Sequence, residues 1–380
     1  MAVPDLSRQQ VLAYRAAVQG LSPGTAARRV GSLDVLGIGL QDTPAGSART
    51  GLRARVVDDH LPAEHPDLAF VLGVRGAPHL HRRSDLPGLR RALCPTDTEE
   101  LLDWLGGPGE ALAASGLDGP ELVRQVTDLM RELFPGDGCT KGELSALVSP
   151  RVPEPARPWC ARCGSYHVVD GLFRLGAFLA GLEVLPDGGR RLRFRRPAAA
   201  SEPAGDIGRA DLARMFLRQV GPVTEEHLGR WVTTRPVGRS VWAARAWRQL
   251  SDDLVEVHVD GRPLWALAEI VDRLRTAPPT TGLRLLPPRD PYLHGERRLL
   301  VGEPAWARQV WRSVGSPGVL LQDGEVVGTW RQRVVGRRLE LEAQPFRPGA
   351  TLRQAELEEQ ATALAADRGA TETRVRVPAS

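Results

Sequence analysis

One repeated order of elements constrains this chain more than any other feature. Short amphipathic helices are followed by a hairpin, and the pattern is met three times at an interval of roughly 85–110 residues. In the first run, residues 7–19 and 24–36 carry apolar side chains at helical spacing, the second segment beginning after Ser22 and Pro23. A third helix is expected over 44–56, with Pro44 in its first turn. Residues 68–81, LAFVLGVRGAPHLH, then read as a hairpin with an apolar first half, a Gly-Ala-Pro turn and an alternating His79-Leu80-His81. Three helices followed by a hairpin is the order of a winged helix, a variant of helix-turn-helix.

The order returns with helices expected over 120–134, 141–147 and 169–182. Their hairpin, 182–196, has Asp-Gly-Gly at its tip and arginines, Arg193 and Arg195 among them, along its second strand. An Ala/Pro/Ser-rich linker spans 197–207. The third run has helices over 209–220, 224–233 and 237–250, then a hairpin over 254–265 turning at Asp260-Gly261. After the Pro-rich break at 277–282 come short apolar runs (LRLLP, RRLLVG, GVLLQ, EVVGTW, RVVGRRLELEAQPF), which read as the strands of a small barrel or sandwich. A helix over 351–367 closes the chain. At 380 residues, one core does not suffice. The expected fold is α+β: three tandem winged-helix modules (1–115, 116–200, 201–276) and a β-rich C-terminal domain (277–380).

Composition narrows the function classes. With 42% hydrophobic and 25% charged residues the chain reads as an ordinary globular protein. No apolar run approaches the ~18 residues of a membrane span. MAVPDLSRQQ at the start lacks the apolar core of a signal peptide, so a cytoplasmic location is expected. The net charge is +4, and every basic residue except Lys141 is arginine, the side chain suited to bidentate phosphate and base contacts. Net charge alone is weak evidence for a nucleic-acid partner. Neither G-x-x-x-x-G-K-[ST] nor a convincing G-x-G-x-x-G occurs, so no nucleotide cofactor is expected; G-x-S-x-G is absent too.

Local constellations supply the candidate sites. In GLQDTPAGSARTGLRAR (39–55), Gln41, Asp42 and Thr43 stand side by side after an apolar run and before a helix, where polar groups sit on fixed backbone. The plainer reading is that Asp42 or Thr43 caps that helix. His79, His81 and Arg75 share one face of a strand and are candidates to touch phosphates or bases; the alternative is ordinary solvent-exposed wing residues. Arg193, Arg195, Arg239 and Arg245 are candidate DNA contacts, while Trp242 and Trp247 are expected to pack in a core. Cys160-x-x-Cys163-x-x-x-His167, joined by Cys139, has the donors for a structural Cys3His zinc site; packed thiols are the alternative, and no cofactor is otherwise required. Asp290-Pro291-Tyr292 reads as a turn between strands.

Several of these segments together have a familiar look. RGAPHLH (75–81) with DLP (85–87), LLPPRDPYLHGERR (285–298) and DGEVVGTWRQR (323–333) resemble, in order, the R-G-T-x-H-x hairpin, L-P-P-x-D-x-Y segment and D-G-x-x-x-G-x-W strand pair of the AlkZ-like winged-helix DNA glycosylases. That family includes an enzyme that unhooks azinomycin crosslinks, and the resemblance covers nearly the whole chain. It implies a C-shaped stack of three winged helices with a C-terminal β-barrel, gripping double-stranded DNA and hydrolysing the N-glycosidic bond of alkylated or bulky purines. The family's catalytic signature is Gln-apolar-Gln, or Gln-apolar-Asp in a sister branch. Here it falls on Gln41-Asp42-Thr43, so Gln41 matches the first glutamine, Asp42 takes the apolar position and Thr43 the second catalytic one. The resemblance thus leaves two functions: a monofunctional glycosylase in which Gln41 positions water and Asp42 supplies a carboxylate, or a catalytically silent winged-helix protein that binds DNA as a regulator or lesion shield.

Overall fold

Alternating burial explains the sheet that dominates the C-terminal third. In the computed structural model, which describes residues 3–27, 29–57, 64–185, 191–197, 207–233, 240–347 and 349–378, strands Leu283–Leu286, Gly318–Gln322, Glu325–Val335, Arg338–Pro345 and Glu372–Arg376 form a sheet in chain order. The first four are antiparallel; the last runs parallel to Arg338–Pro345. Successive side chains point to opposite faces. Leu283, Leu285, Leu320, Leu339 and Leu341 therefore pack under the helix Gln354–Asp367 through its Leu357, Ala361 and Leu364. Leu286, Val319, Leu321 and Val326 face a second core with Leu12, Ala16, Ala54, Tyr292 and Leu300. Burial on both faces is why Leu283–Leu286 and Gly318–Gln322 read as apolar runs, whereas Arg338–Pro345 alternates buried with half-buried or exposed positions.

The fold is α+β, and packing separates two compact units. One comprises Met1–His65, Met215–Thr224 and Asp253–Ser380; the other Pro66–Arg214 and Glu225–Asp252. Each draws on more than one of the four sequence segments. Among the described residues no helix is long and apolar enough to cross a membrane.

In the first unit, helix Arg8–Val18 starts with a capping box, Ser7 and Gln10 satisfying each other's backbone amides. Hairpin Leu254–Val259/Arg262–Leu267 turns at Asp260-Gly261, both at positive φ, as the sequence predicts. Asp5–Leu6 adds a parallel strand to it. Four expectations need correction here. The described residues of 24–36 do not form an α-helix: Val30–Ser32 and Asp34–Gly37 are separate 3-10 turns, broken by the extended Leu33. RRLLVG (297–302) is a helical turn, Arg297–Leu300, whose start Glu296 caps by accepting from the Arg298 amide. The C-terminal sheet is open: its strands follow in chain order and Leu283–Leu286 does not pair with Glu372–Arg376. Finally, the helix Gln354–Asp367 is followed by that last strand, so it does not close the chain.

The second unit holds hairpin Leu68–Leu72/Pro78–Arg82 and helices Gly119–Leu133, Lys141–Val148 and Asp170–Leu179, near the expected bounds. Helices Leu86–Leu93, Thr98–Leu105 and Gly109–Ala114 lie between the hairpin and the second run of expected helices. Glu183–Val184 pairs with Arg193–Arg195, which also pairs with Cys139–Thr140; the expected Asp-Gly-Gly tip (187–189) and most of the linker lie outside the described residues. Trp242 is core, as expected, its indole N–H donating to Ala92 O at 2.8 Å.

Candidate active site

The stretch around Gln41 is built on an apolar floor. Val35, Leu36, Ile38 and Leu40 are all fully buried, and they hold the short strand Leu40–Gln41. Gln41 is 6% exposed, Asp42 half-buried and Thr43 exposed. A cis peptide joins Thr43 to Pro44. Pro44 does not open a helix: the helix is Ser47–Arg53, and Gly46 stands before it at φ 83°. Glycine suits that position because the left-handed backbone disfavours a side chain, and a Cβ there would push aside the end of the Arg368 guanidinium.

Asp42 works as a cap, since its Oδ1 accepts the Ala48 amide at 2.9 Å. Burial nevertheless pushes its carboxyl above the usual carboxylate range, against the pull of the Ala48, Gly46 and Ser47 amides and of the Arg368 charge. Arg368 in turn donates to Ala45 O at 3.2 Å. A partly buried acid at a helix N-terminus, facing an arginine, has the makings of an electrostatic site.

The helix behind these residues is pinned at several points. Arg49 Nε and Arg53 Nε each reach Asp367 at 2.7 Å. Burial opposes ionisation of Asp367, but those two arginines outweigh it and hold the carboxyl below its usual range. Arg55, fully buried, donates Nη1 to Asp290 Oδ2 at 2.9 Å and Nη2 to Asp290 Oδ1 at 2.6 Å. The same guanidinium bonds Gly51 O and Gln19 Oε1. Asp290 also accepts the Tyr292 amide, and the Tyr292 hydroxyl donates to Gly324 O at 2.6 Å. Asp290-Pro291-Tyr292 is thus more than a turn. It ties the segment 323–333 to the C-terminal end of the helix beside Gln41. Sequence reasoning missed Arg55, Asp290 and Arg368 as supports of this stretch, because a charged residue in a turn or helix reads as solvated; the one signal available was that Asp290 falls in a recognised segment.

In the second unit, the residues expected from sequence as DNA contacts lie in different settings. His79 and His81 are each 2% exposed, so the alternative of ordinary solvent-exposed wing residues does not hold. Their rings lie 5.9 Å apart, and His79 Nδ1 is 2.9 Å from Ala77 O. Arg75, half-buried at φ 57°, donates to Arg230 O at 3.3 Å. Arg195 pairs with Glu183 at 3.1 Å, a carboxylate it shares with Arg83. Arg245 is bound by Asp97 at 2.5 Å and Glu100 at 2.8 Å, so it braces the helix Thr98–Leu105 rather than reaching outward. Arg193 is exposed; Arg239 lies outside the described residues. An arginine-lined cleft that sequence did not suggest, of about 380 Å³, is formed by Arg83, Arg90, Arg131 and Arg196 with Glu183. Burial lowers the Arg90 pKa, with the Glu183 charge opposing the shift and the Arg131 charge adding to it.

Cys160, Cys163 and His167 come together, their ligand atoms all within 4.8 Å of one another. The Cys160 thiol is drawn down to about 7, first by its hydrogen bond with His167 and then by the Cys163 amide. Cys139 does not join them. It is buried in the strand Cys139–Thr140, where it pairs with Phe194, and packing accounts for it.

Comparison with known proteins gives concordant matches. The profile of the family described as "DNA glycosylase AlkZ-like" matches residues 35–366. An "Interstrand DNA cross-link repair glycosylase" of Streptomyces sahachiroi is 28% identical over 388 residues, covering 98% of this chain and 99% of that protein. The solved structure of "Streptomyces sahachiroi DNA glycosylase AlkZ" superposes with a TM-score of 0.72 at 24% identity, covering 98% of this chain and all of that one.

Proposed function

This chain belongs to the AlkZ-like DNA glycosylase family, and from that premise we propose that it hydrolyses the N-glycosidic bond of an alkylated or cross-linked purine in double-stranded DNA, in the cytoplasm, with water as nucleophile. The observation that carries the reading is that the family match spans residues 35–366 and so includes Gln41, held almost fully buried beside an anchored helix. An N-alkylated purine is a cationic leaving group. When its bond to C1′ breaks, the electron pair passes to the base nitrogen and the base departs neutral. Water then adds to C1′ and loses a proton, leaving an abasic sugar. Little acid catalysis is needed, so the site has to position water and face the positive charge developing on the sugar. Gln41 orients the water; the Asp42 carboxylate faces that charge and takes the proton. The helix-then-hairpin order around 68–82, 183–195 and 254–267 supports a reading as three winged-helix modules presenting arginines to DNA phosphates.

A second reading has a specific observation in its favour. Thr43, exposed and short, stands where the active branches carry Gln or Asp, and one Asp42 oxygen is already engaged by the Ala48 amide. On that reading the protein binds lesions without cleaving them, as a regulator or shield. Incubation of the purified protein with methylated duplex and with duplex cross-linked by a bifunctional alkylator separates the two. The glycosylase reading expects released alkylpurine, with Gln41→Ala slower by at least about tenfold, or 1.4 kcal/mol of barrier, at little cost in DNA affinity. Binding without any base release, unrelieved by Thr43→Gln, leaves the silent reading in place.

A further inference from the structure

The segment from Pro158 to Tyr166 has no hydrophobic reason to be ordered. Every residue in it is exposed except half-buried Cys160. Its strands, Trp159–Cys160 and Ser165–Tyr166, make only two residue pairs, Trp159 with Tyr166 and Cys160 with Ser165. The edge-on contact of the Trp159 and Tyr166 rings, 5.1 Å apart, lies in solvent. A two-stranded ribbon of this size is marginally stable at best by itself in water. Its base is tied to buried chain by the Val169 amide on Ala156 O (3.0 Å) and the Val168 amide on Ser149 Oγ (3.1 Å), but nothing apolar among the described residues covers the hairpin itself.

The chain is shaped to present three donors to one point. Cys160 O accepts the amides of both Cys163 (3.1 Å) and Gly164 (2.9 Å), and Gly164 takes φ 61° to complete the turn. That tight turn brings the two sulfurs to one side. His167 closes the far end of the hairpin, with its Nδ1 2.9 Å from Val168 O. A ring that donates from Nδ1 to a carbonyl leaves Nε2 as the lone-pair nitrogen, and that hydrogen bond fixes the tautomer and the ring orientation a metal-bound histidine needs. The three ligand atoms lie within 4.8 Å of one another. Zinc–sulfur and zinc–nitrogen bonds of roughly 2.0–2.3 Å bring such a set onto one ion with small side-chain adjustments.

We propose that Cys160, Cys163 and His167 bind one zinc ion that staples this surface hairpin, with the fourth coordination position open to water. Two thiolates and an imidazole select a borderline-soft divalent ion. The site differs from the Cys3His set expected from sequence, because buried Cys139 is not part of it. It is independent of the glycosylase reading.

The full-length protein, purified under reducing conditions without chelator, is expected to carry about one equivalent of zinc. X-ray absorption should show two sulfur neighbours. Cobalt exchange should give thiolate charge-transfer and tetrahedral ligand-field bands. Cys160→Ser, Cys163→Ser and His167→Ala should each lose the metal, while Cys139→Ser keeps it. Exposed Arg162, between the two cysteines, provides a readout on the wild-type protein: trypsin should cut there after chelation and spare it when zinc is restored. No stoichiometric zinc, a Cys160–Cys163 disulfide recovered from the reduced preparation, or Cys139→Ser losing the metal as fully as Cys160→Ser would each overturn the proposal.

Discussion

Replacing Asp290 by asparagine removes one negative charge from a place with no water to compensate. Arg55 and Asp290 have side chains with no exposure at all. Asp290 Oδ1 serves Arg55 Nη2 at 2.6 Å and the Tyr292 amide at 2.9 Å, while Oδ2 serves Arg55 Nη1 at 2.9 Å. Arg55 Nε already lacks a partner. In the variant one oxygen remains, and an amide NH2 turns its hydrogens toward a guanidinium that also only donates. The buried cation is then left without its counter-charge, at a cost of about 3–5 kcal/mol. For a unit of this size, where 1 kcal/mol moves Tm by ~2–4 °C, that is a fall of roughly 6–20 °C. Thermal and urea unfolding followed by tryptophan fluorescence measure it. A second variant checks the cause. Arg55→Met with Asp290→Leu removes both charges and should recover part of the loss, since the Tyr292 amide, Gln19 Oε1 and Gly51 O each lose a partner at roughly 1 kcal/mol. If Asp290→Asn unfolds within about 1 kcal/mol of wild type, or the double variant is no better than the single one, the pair is not what fixes the helix beside Gln41.

Two further outcomes follow from the charges. Because burial raises the Asp42 pKa, excision that depends on its carboxylate should rise with pH through a limb above the ordinary carboxylate range; the stability the protonated group lends the fold is full at low pH and lost across the same limb. Asp42→Asn should abolish that limb, and a limb that survives in the variant assigns it to another group. DNA affinity should fall with salt by roughly 0.9 log unit per log unit of salt for each phosphate contacted; Arg193→Gln should lower that slope by about one contact, whereas Arg245→Gln should leave it unchanged and lower Tm, since Asp97 and Glu100 hold that guanidinium.

What could be read in the sequence was whatever local pattern decides. Asp260-Gly261 marks a hairpin because both positions need positive φ. The helix Gly119–Leu133 shows itself by its periodic apolar face and its Asp118 cap. Gln41 was legible as a candidate through resemblance, and the Cys160-x-x-Cys163 spacing through donor chemistry. What failed was burial of polar groups. Arg55, Asp290, His79 and His81 look like surface residues one at a time, and only partners distant in sequence make their burial tolerable. In 24–36 the apolar spacing mimicked a helix, but extended Leu33 breaks it into two tight turns. RRLLVG had strand composition and too few residues for its period to be judged.

The parts that fix Gln41's neighbourhood lie far along the chain. Arg55 waits for Asp290, 235 residues later, Arg49 for Asp367, 318 later, and Ala45 for Arg368, 323 later. During synthesis the residues around Gln41 therefore leave the ribosome early and acquire these restraints only after Arg368 has followed. Most of the other unit, Pro66–Arg214, is complete well before then. The order of assembly is thus written into the connectivity: a contiguous middle free to settle first, and a candidate site that closes around its supports last. A chain cut short before residue 368 keeps the whole Gln41-Asp42-Thr43 sequence and loses the guanidinium that lies against Gly46.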